Sequence, residues 1–493
     1  MTVSFLSLAA IVVPLLAALG YAALGWHKAT AWLSPLAAAV VLAAASGVAV
    51  QIGQSGPRTA VAGVLRVDAL SAFMLIVIGA VALLATAATP AYLRAEIAAG
   101  RATERTATRH SVLVQLFLAA MATAVLAANL GVLWVAIEAT TIVTAFLVGQ
   151  RRTKTALEAA WKYVVICSTG IALALLGTLL LNYAAHGTGL GLAALTAGAH
   201  DLDPGVARIA VTLLILGFGT KAGLAPLHAW LPDAHSQAPA PVSALMSGVL
   251  LSVALYAILR VKVISDAVLG PGFARALLAV MALASLAVAA SLLLAQRDYK
   301  RMLAYSSIEH LALASLGAAI GSPLALAAAL LHILGHGLVK AVLFLGAGRI
   351  LQITGTSRID GVRGLAARDP LLAGCVGLGV LALIGLPPFS LFASEFGLAR
   401  AGFAAGLGWI TALALLLVLV IAAALVGHTS RMLLGTPPEE PLPHGGIVTT
   451  TRLSTAPSVA LAGGLLAAAV LGVAAGPLAT LLHQAADLLT GTP

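Results

Sequence analysis

Residues 207–238 read ARIAVTLLILGFGTKAGLAPLHAWLPDAHSQA. The stretch opens as an apolar run fit to cross a membrane. It carries Lys221 deep inside that run and is then interrupted by Pro226 and Pro232. Proline removes a backbone donor and clashes with the preceding turn, so a helix cannot pass through unchanged. Broken backbone at membrane depth survives only inside protein or beside a wet cavity. Residues 383–396, LIGLPPFSLFASEF, repeat the pattern, with Pro387 and Pro388 as breakers and Glu395 as the charge. Interrupted helices in two halves of a chain point to a transporter with its site near the bilayer midplane.

Composition extends this reading to the whole chain. Of 493 residues, 61% are hydrophobic and 9% charged, against about 25% charged in a soluble protein. Lipid forces every backbone polar group to be satisfied internally, which leaves helices or a closed barrel. The apolar runs are long and unbroken, without the dyad alternation of a barrel, so the fold class is all-α integral membrane. A net charge of +10 fits Lys and Arg gathered in cytoplasmic loops better than nucleic-acid binding. Cys167 and Cys375 stand alone in apolar runs, which provides neither a disulfide framework nor a cluster site. No metal and no cofactor is expected in this chain. The run Val3–Ala23 lacks a basic leader and a cleavage site and reads as a retained helix.

A span needs roughly 20 apolar residues. About fourteen segments qualify, near 3–24, 31–50, 68–89, 111–128, 130–149, 160–183, 207–238, 242–260, 275–294, 302–321, 323–351, 371–403, 405–427 and 457–482. The seventh and twelfth are the interrupted ones, five helices apart. The Pro-rich stretch 435–451 reads as a connector. Lys and Arg are concentrated after odd-numbered segments, for example Arg101, Arg105, Arg109, Arg151, Arg152, Arg297, Arg301 and Arg452. That bias puts odd loops in the cytoplasm and both termini outside.

A charge at the bilayer centre costs about 2.5–3.5 kcal/mol, so each one retained needs a reason. Glu138 lies within LGVLWVAIEATTIVTAFLVG, residues 130–149. It reads as a proton-relay carboxylate or as a structural partner for a neighbouring helix. Lys221 either snorkels or lines a wet cavity as a switchable proton carrier. His332, His336 and Lys340 recur at i, i+4, i+8 in LHILGHGLVKAVLFLGAG, residues 331–348, and so share one helix face. Titratable groups in line suit a proton path. A metal at the two histidines is disfavoured because no carboxylate accompanies them in that helix. Glu395 reads as functional or as interfacial. His228, Asp233 and His235 either continue the path or support unwound backbone. Ser306, Ser307, Glu309 and His310 look like polarity at a helix start, with Glu309 favourable there for the dipole.

Three stretches make a resemblance specific: residues 219–251, GTKAGLAPLHAWLPDAHSQAPAPVSALMSGVLL; residues 296–310, QRDYKRMLAYSSIEH; and residues 331–348. They resemble the antiporter-like family, whose members are proton-channel subunits of complex I, Mrp-type sodium/proton antiporter subunits, and membrane subunits of group 4 hydrogenases. Residues 134–149 and 157–178 most resemble the hydrogenase-4 component F type. The resemblance implies two inverted five-helix repeats, each with a broken helix, at 111–260 and 275–427. These are flanked by N-terminal helices at 1–110 and a C-terminal loop and helix at 428–493. It implies a Glu138–Lys221 pair, Lys340 beside the two histidines, and Glu395 at the second break. Several members carry a further Lys after the first break, where this chain has Ser252; a serine cannot hold charge, so water or a neighbour such as His228 would serve. The chain also lacks the C-terminal lateral helix of the largest complex I subunit.

The implied function is proton translocation coupled to electron transfer in partner subunits of a hydrogenase or complex I-like assembly. The expected setting is a prokaryotic plasma membrane, with lipid and protons (or Na+) as the other partners and no nucleic acid. The expected proton path comprises Glu138, Lys221, His228, His235, His332, His336, Lys340 and Glu395. The rivals are a sodium/proton antiporter subunit, a passive membrane anchor, and a subunit for energy-coupled uptake of inorganic carbon.

Overall fold

The computed structural model describes residues 2–187, 189–435 and 455–491. The connector expected at 435–451 and Arg452 lie outside these, apart from Gly435. Among the described residues thirteen helices are long and apolar enough to span a membrane, and the chain is a multi-pass membrane protein.

The order begins with α1 (Val3–Leu24), α2 (Leu33–Ser55), α3 (Ala69–Ala98), α4 (Glu104–Leu126), α5 (Leu130–Val148) and α6 (Lys154–Ala184). A short antiparallel hairpin, Arg58–Ala60 with Leu65–Val67, joins α2 to α3 and was not foreseen. Next come α7 (Pro204–Ala222) and α8 (Trp230–Gln237), the two parts of the first broken helix. They are followed by α9 (Ala240–Leu269), α10 (Pro271–Leu294), α11 (Tyr299–Ile320) and α12 (Pro323–Thr354). The second broken helix is α13 (Pro370–Leu383) and α14 (Ser390–Ala404). Last are α15 (Gly408–Leu434), α16 (Thr455–Val473) and α17 (Gly476–Thr490).

Short polar side chains start many of these helices by accepting from otherwise orphaned backbone donors. Asp68, Thr103, Asn129, Thr153, Asp298 and Ser322 each accept from the N–H three residues on. Apolarity alone mistakes such ends. The spans expected at 111–128, 242–260 and 405–427 begin or end within α4, α9 and α15, because charged residues such as Arg105, Lys262 and Arg431 continue the helix past the apolar run. The expected boundaries at 110, 260 and 427 therefore fall inside helices. The span expected at 457–482 is two helices, turned at Gly476 with φ +44°, a conformation open to glycine because it has no Cβ.

The breaks themselves are local. In the first, α7 ends at the left-handed Gly223, Pro226 lies in the gap, and α8 starts at Trp230. Pro232 is not a breaker; it sits in the first turn of α8, where no intrahelical donor is lost. In the second, Gly385, Pro387 and Pro388 separate α13 from α14.

Burial sorts the helices. The apolar windows of α9 and α11 are wholly inside, and that of α12 nearly so. The outer helices show large apolar side chains, among them Leu19, Val135, Trp161, Val280, Leu419 and Leu466. Such a surface is stable against lipid or another protein's apolar face, not against water. Between α6 and α7 the backbones nearly touch: a Cβ on Gly217 would stand 2.5 Å from the Gly170 carbonyl oxygen. This small-residue contact, a common device in membrane helix pairs, sets α6 against the end of α7 that carries Lys221.

Candidate proton-path site

Lys221 is fully buried in the last turn of α7. Its Nζ donates to Thr141 Oγ1 on α5 at 2.8 Å and to the Tyr163 hydroxyl on α6 at 2.5 Å. Thr144 hydrogen-bonds the same Tyr163 hydroxyl. Glu138 stands one turn before Thr141, half-buried, with Oε2 unpartnered. Glu138 and Lys221 form no ion pair within 4.0 Å. The expected Glu138–Lys221 pair is thus a hydroxyl-separated pair: Thr141, on the same face of α5, takes the ammonium first.

From Lys221 the line continues through rings. Tyr163 meets Trp230 edge-on at 5.0 Å, Trp230 stacks over His235 at 6.4 Å, and His235 stacks on Phe344 at 5.3 Å. The Trp230 Nε1 donates to the Thr220 carbonyl at 2.9 Å, which pins α8 onto the end of α7. His235 is fully buried with neither ring nitrogen bonded to protein. His228 is half-buried in the break, and no bond joins it to Lys221 or Lys340. Asp233 is a clamp on α8, held by Arg301 at 2.7 Å and Lys162 at 3.2 Å.

Lys340, on α12, is fully buried and donates to the Leu303 carbonyl at 2.7 Å and to Ser306 Oγ at 2.5 Å. Glu309 stands one turn beyond Ser306, buried, with Oε2 unpartnered. It is not a solvated first-turn acid: α11 starts at Tyr299 under the Asp298 cap, so Glu309 is well inside the helix. His310 bonds His332 at 3.0 Å, and His332 bonds Ser394 at 2.9 Å. The His336 ring lies 5.1 Å from that of His310. Glu395 stands early in α14, directly after the break, not late in its helix. Its carboxylate lies against Gly385, where an added Cβ would come within 2.2 Å of Oε2. It also lines a small cavity of about 20 Å³ with Leu313 and Thr411.

His310, His332 and Glu395 bring ligand atoms within 4.8 Å of one another and could hold a metal ion. The carboxylate comes from another helix, so the absence of one on α12 did not decide the question.

The structure therefore joins Lys221, His235, His332, His336, Lys340 and Glu395 in one interior, with Glu138 beside it and His228 apart. Sequence reasoning missed Thr141, Tyr163 and Ser394, and read Ser306 only as polarity at a helix start. Each is an ordinary helix residue in sequence and gains its role from what faces it. Lys300 was missed as well; it is fully buried and donates to the Ser236 and Ala238 carbonyls at 2.6 and 2.9 Å, holding the end of α8.

Residues 127–421 match the transmembrane family described as NADH:quinone oxidoreductase/Mrp antiporter. A hydrogenase-4 component F homolog of Methylacidiphilum infernorum is 43% identical over 319 residues, 64% of this chain and 67% of that protein. In the membrane-bound sulfane sulfur reductase, an archaeal respiratory membrane complex, one chain aligns with a TM-score of 0.85 at 26% identity, covering 98% of both chains. In respiratory complex I from Thermus thermophilus with bound NADH, one aligns at 0.81 and 25% identity, covering 99% of both.

Proposed function

We propose, because this chain belongs to the NADH:quinone oxidoreductase/Mrp antiporter transmembrane family, that it is the proton-translocating membrane subunit of a hydrogenase-type complex. Electron transfer occurs in partner subunits, and this chain moves protons in response. The setting is a prokaryotic plasma membrane with both termini outside, an orientation supported by the basic loops. Its halves are two inverted repeats, each bearing one of the two breaks.

One observation carries the reading: two fully buried lysines, each held by a hydroxyl instead of a carboxylate, with stacked rings leading from Lys221 to His235 and hydrogen-bonded imidazoles near Lys340. A passive anchor would be cheaper with apolar residues at every one of these positions. A lysine held by neutral oxygens can lose its proton when a nearby carboxylate is neutralised or moves. A histidine with free ring nitrogens can accept that proton and release it.

The test is proton uptake by the purified complex in proteoliposomes, with Lys221→Ala assembled to normal subunit content. Loss of uptake is the expected result; wild-type uptake in that variant would reject the reading. Replacing Na+ by K+ in the same assay separates the sodium-coupled alternative, since proton movement should be unchanged.

A further inference from the structure

Away from the buried lysines, the ends of α4, α5 and α6 enclose a groove of about 730 Å³. Its mouth is basic: Arg101, Arg105, Arg109, Arg151 and Arg152 all line it. Glu96 engages two of these, Arg101 at 2.9 Å and Arg151 at 3.8 Å. Arg105, Arg109 and Arg152 have no carboxylate partner among the described residues. Arg152 holds a left-handed backbone, φ +53°, which is unusual for a side chain of its size. His110 also lines the groove. It is 1% exposed, its Nδ1 is bonded to Gln150 at 2.9 Å, and its Nε2 has no protein partner.

Below the mouth the wall turns apolar through Leu113, Phe146, Leu157, Trp161 and Val164. From Arg105 to Leu113 the groove descends about 12 Å along α4, at about 1.5 Å per residue. Guanidinium forks suit phosphate oxygens. A free anion would use the mouth and leave the apolar wall unoccupied, whereas a diacyl lipid uses both. Basic pockets between membrane helices have the chemistry of anionic-lipid sites.

We infer that this groove is a binding site for one anionic diacyl phospholipid, its phosphate held by Arg105, Arg109 and Arg152 and its acyl chains laid along α4, α5 and α6. The site is separate from the proton path and does not depend on the function proposed above.

The test uses the full chain in phosphatidylcholine nanodiscs doped with phosphatidylglycerol, with retained lipid counted by native mass spectrometry. Wild type should retain phosphatidylglycerol over phosphatidylcholine. R105Q/R109Q/R152Q should lose that preference at least about tenfold. Ala160→Trp, which fills the groove and leaves every guanidinium, should lose it too. Thermal unfolding of both variants checks that they fold, and the two substitutions read the site independently of each other. Equal retention by wild type and both variants would overturn the inference. So would displacement of the lipid by an equal concentration of glycerol phosphate, which would mark a soluble-anion site. A photo-crosslinker at Phe146 in the native complex should capture lipid; capture of a neighbouring polypeptide would also overturn it.

Discussion

Lys221 and Lys340 are both fully buried, and both donate to a hydroxyl on a helix whose carboxylate stands one turn away. The order differs: Glu138 precedes Thr141 on α5, whereas Glu309 follows Ser306 on α11. What lies beyond each lysine differs more. Lys221 leads into rings, Tyr163 then Trp230, in van der Waals contact without a shared hydrogen bond. Near Lys340 runs a bonded chain from His310 through His332 to Ser394, beside Glu395. A proton can hop along hydrogen-bonded imidazoles, but it cannot hop through an indole face. We therefore propose that the first region acts as a gate and the second as a conductor. On that proposal, charge movement at Lys221 opens or closes a passage along the histidines.

The largest effect should come from the gate. Lys221→Ala should reduce proton uptake in proteoliposomes by about 10²-fold, the scale of a lost proton-transfer group. Lys221→Arg should fail almost as badly, because a guanidinium does not release its proton. An active arginine variant would end the distinction between gate and conductor. In the conductor, His332→Ala should cost about tenfold, since proton-transfer groups are worth 10²–10⁴-fold and the adjacent His336 retains a partial route; the same assay reads it. If His332→Ala proved as severe as Lys221→Ala, the two regions would be one series element.

Tyr163→Phe sharpens the comparison through stability. It leaves Lys221 with Thr141 as its one hydroxyl acceptor and should cost about 1–3 kcal/mol, read as a lower unfolding temperature in detergent. Ser306→Ala should cost less, because the Leu303 carbonyl still holds Lys340. The smallest effect should be that of Asp233→Asn at the partly exposed clamp, about 1 kcal/mol or less with proton uptake retained. A large loss there would mean that the end of α8 belongs to the gate.

Much of this was legible without coordinates. Glu138, Lys221, His332, His336, Lys340 and Glu395 announce themselves because a charge or imidazole in an apolar run is costly and rare. The breaks at Pro226 and at Pro387–Pro388 follow from proline's missing donor. That His235 is buried and His228 only half-buried was not legible, since seven residues of broken backbone give no fixed period by which to say which ring turns inward. Glu309 was misjudged because its helix starts at a polar cap, ahead of the apolar run.

The sequence by itself determined that lipid is the solvent, that the chain is helical, and which side chains are too costly to be idle. Those conclusions rest on the energy of single residues in hydrocarbon, which composition and run length report directly. The tertiary structure decided that Lys221 rests on Thr141 and Tyr163 rather than on Glu138, and that Glu395 joins histidines from two other helices. Those pairings depend on how helices cross, and crossing is set by close contacts such as Gly217 on Gly170, between residues far apart in the chain.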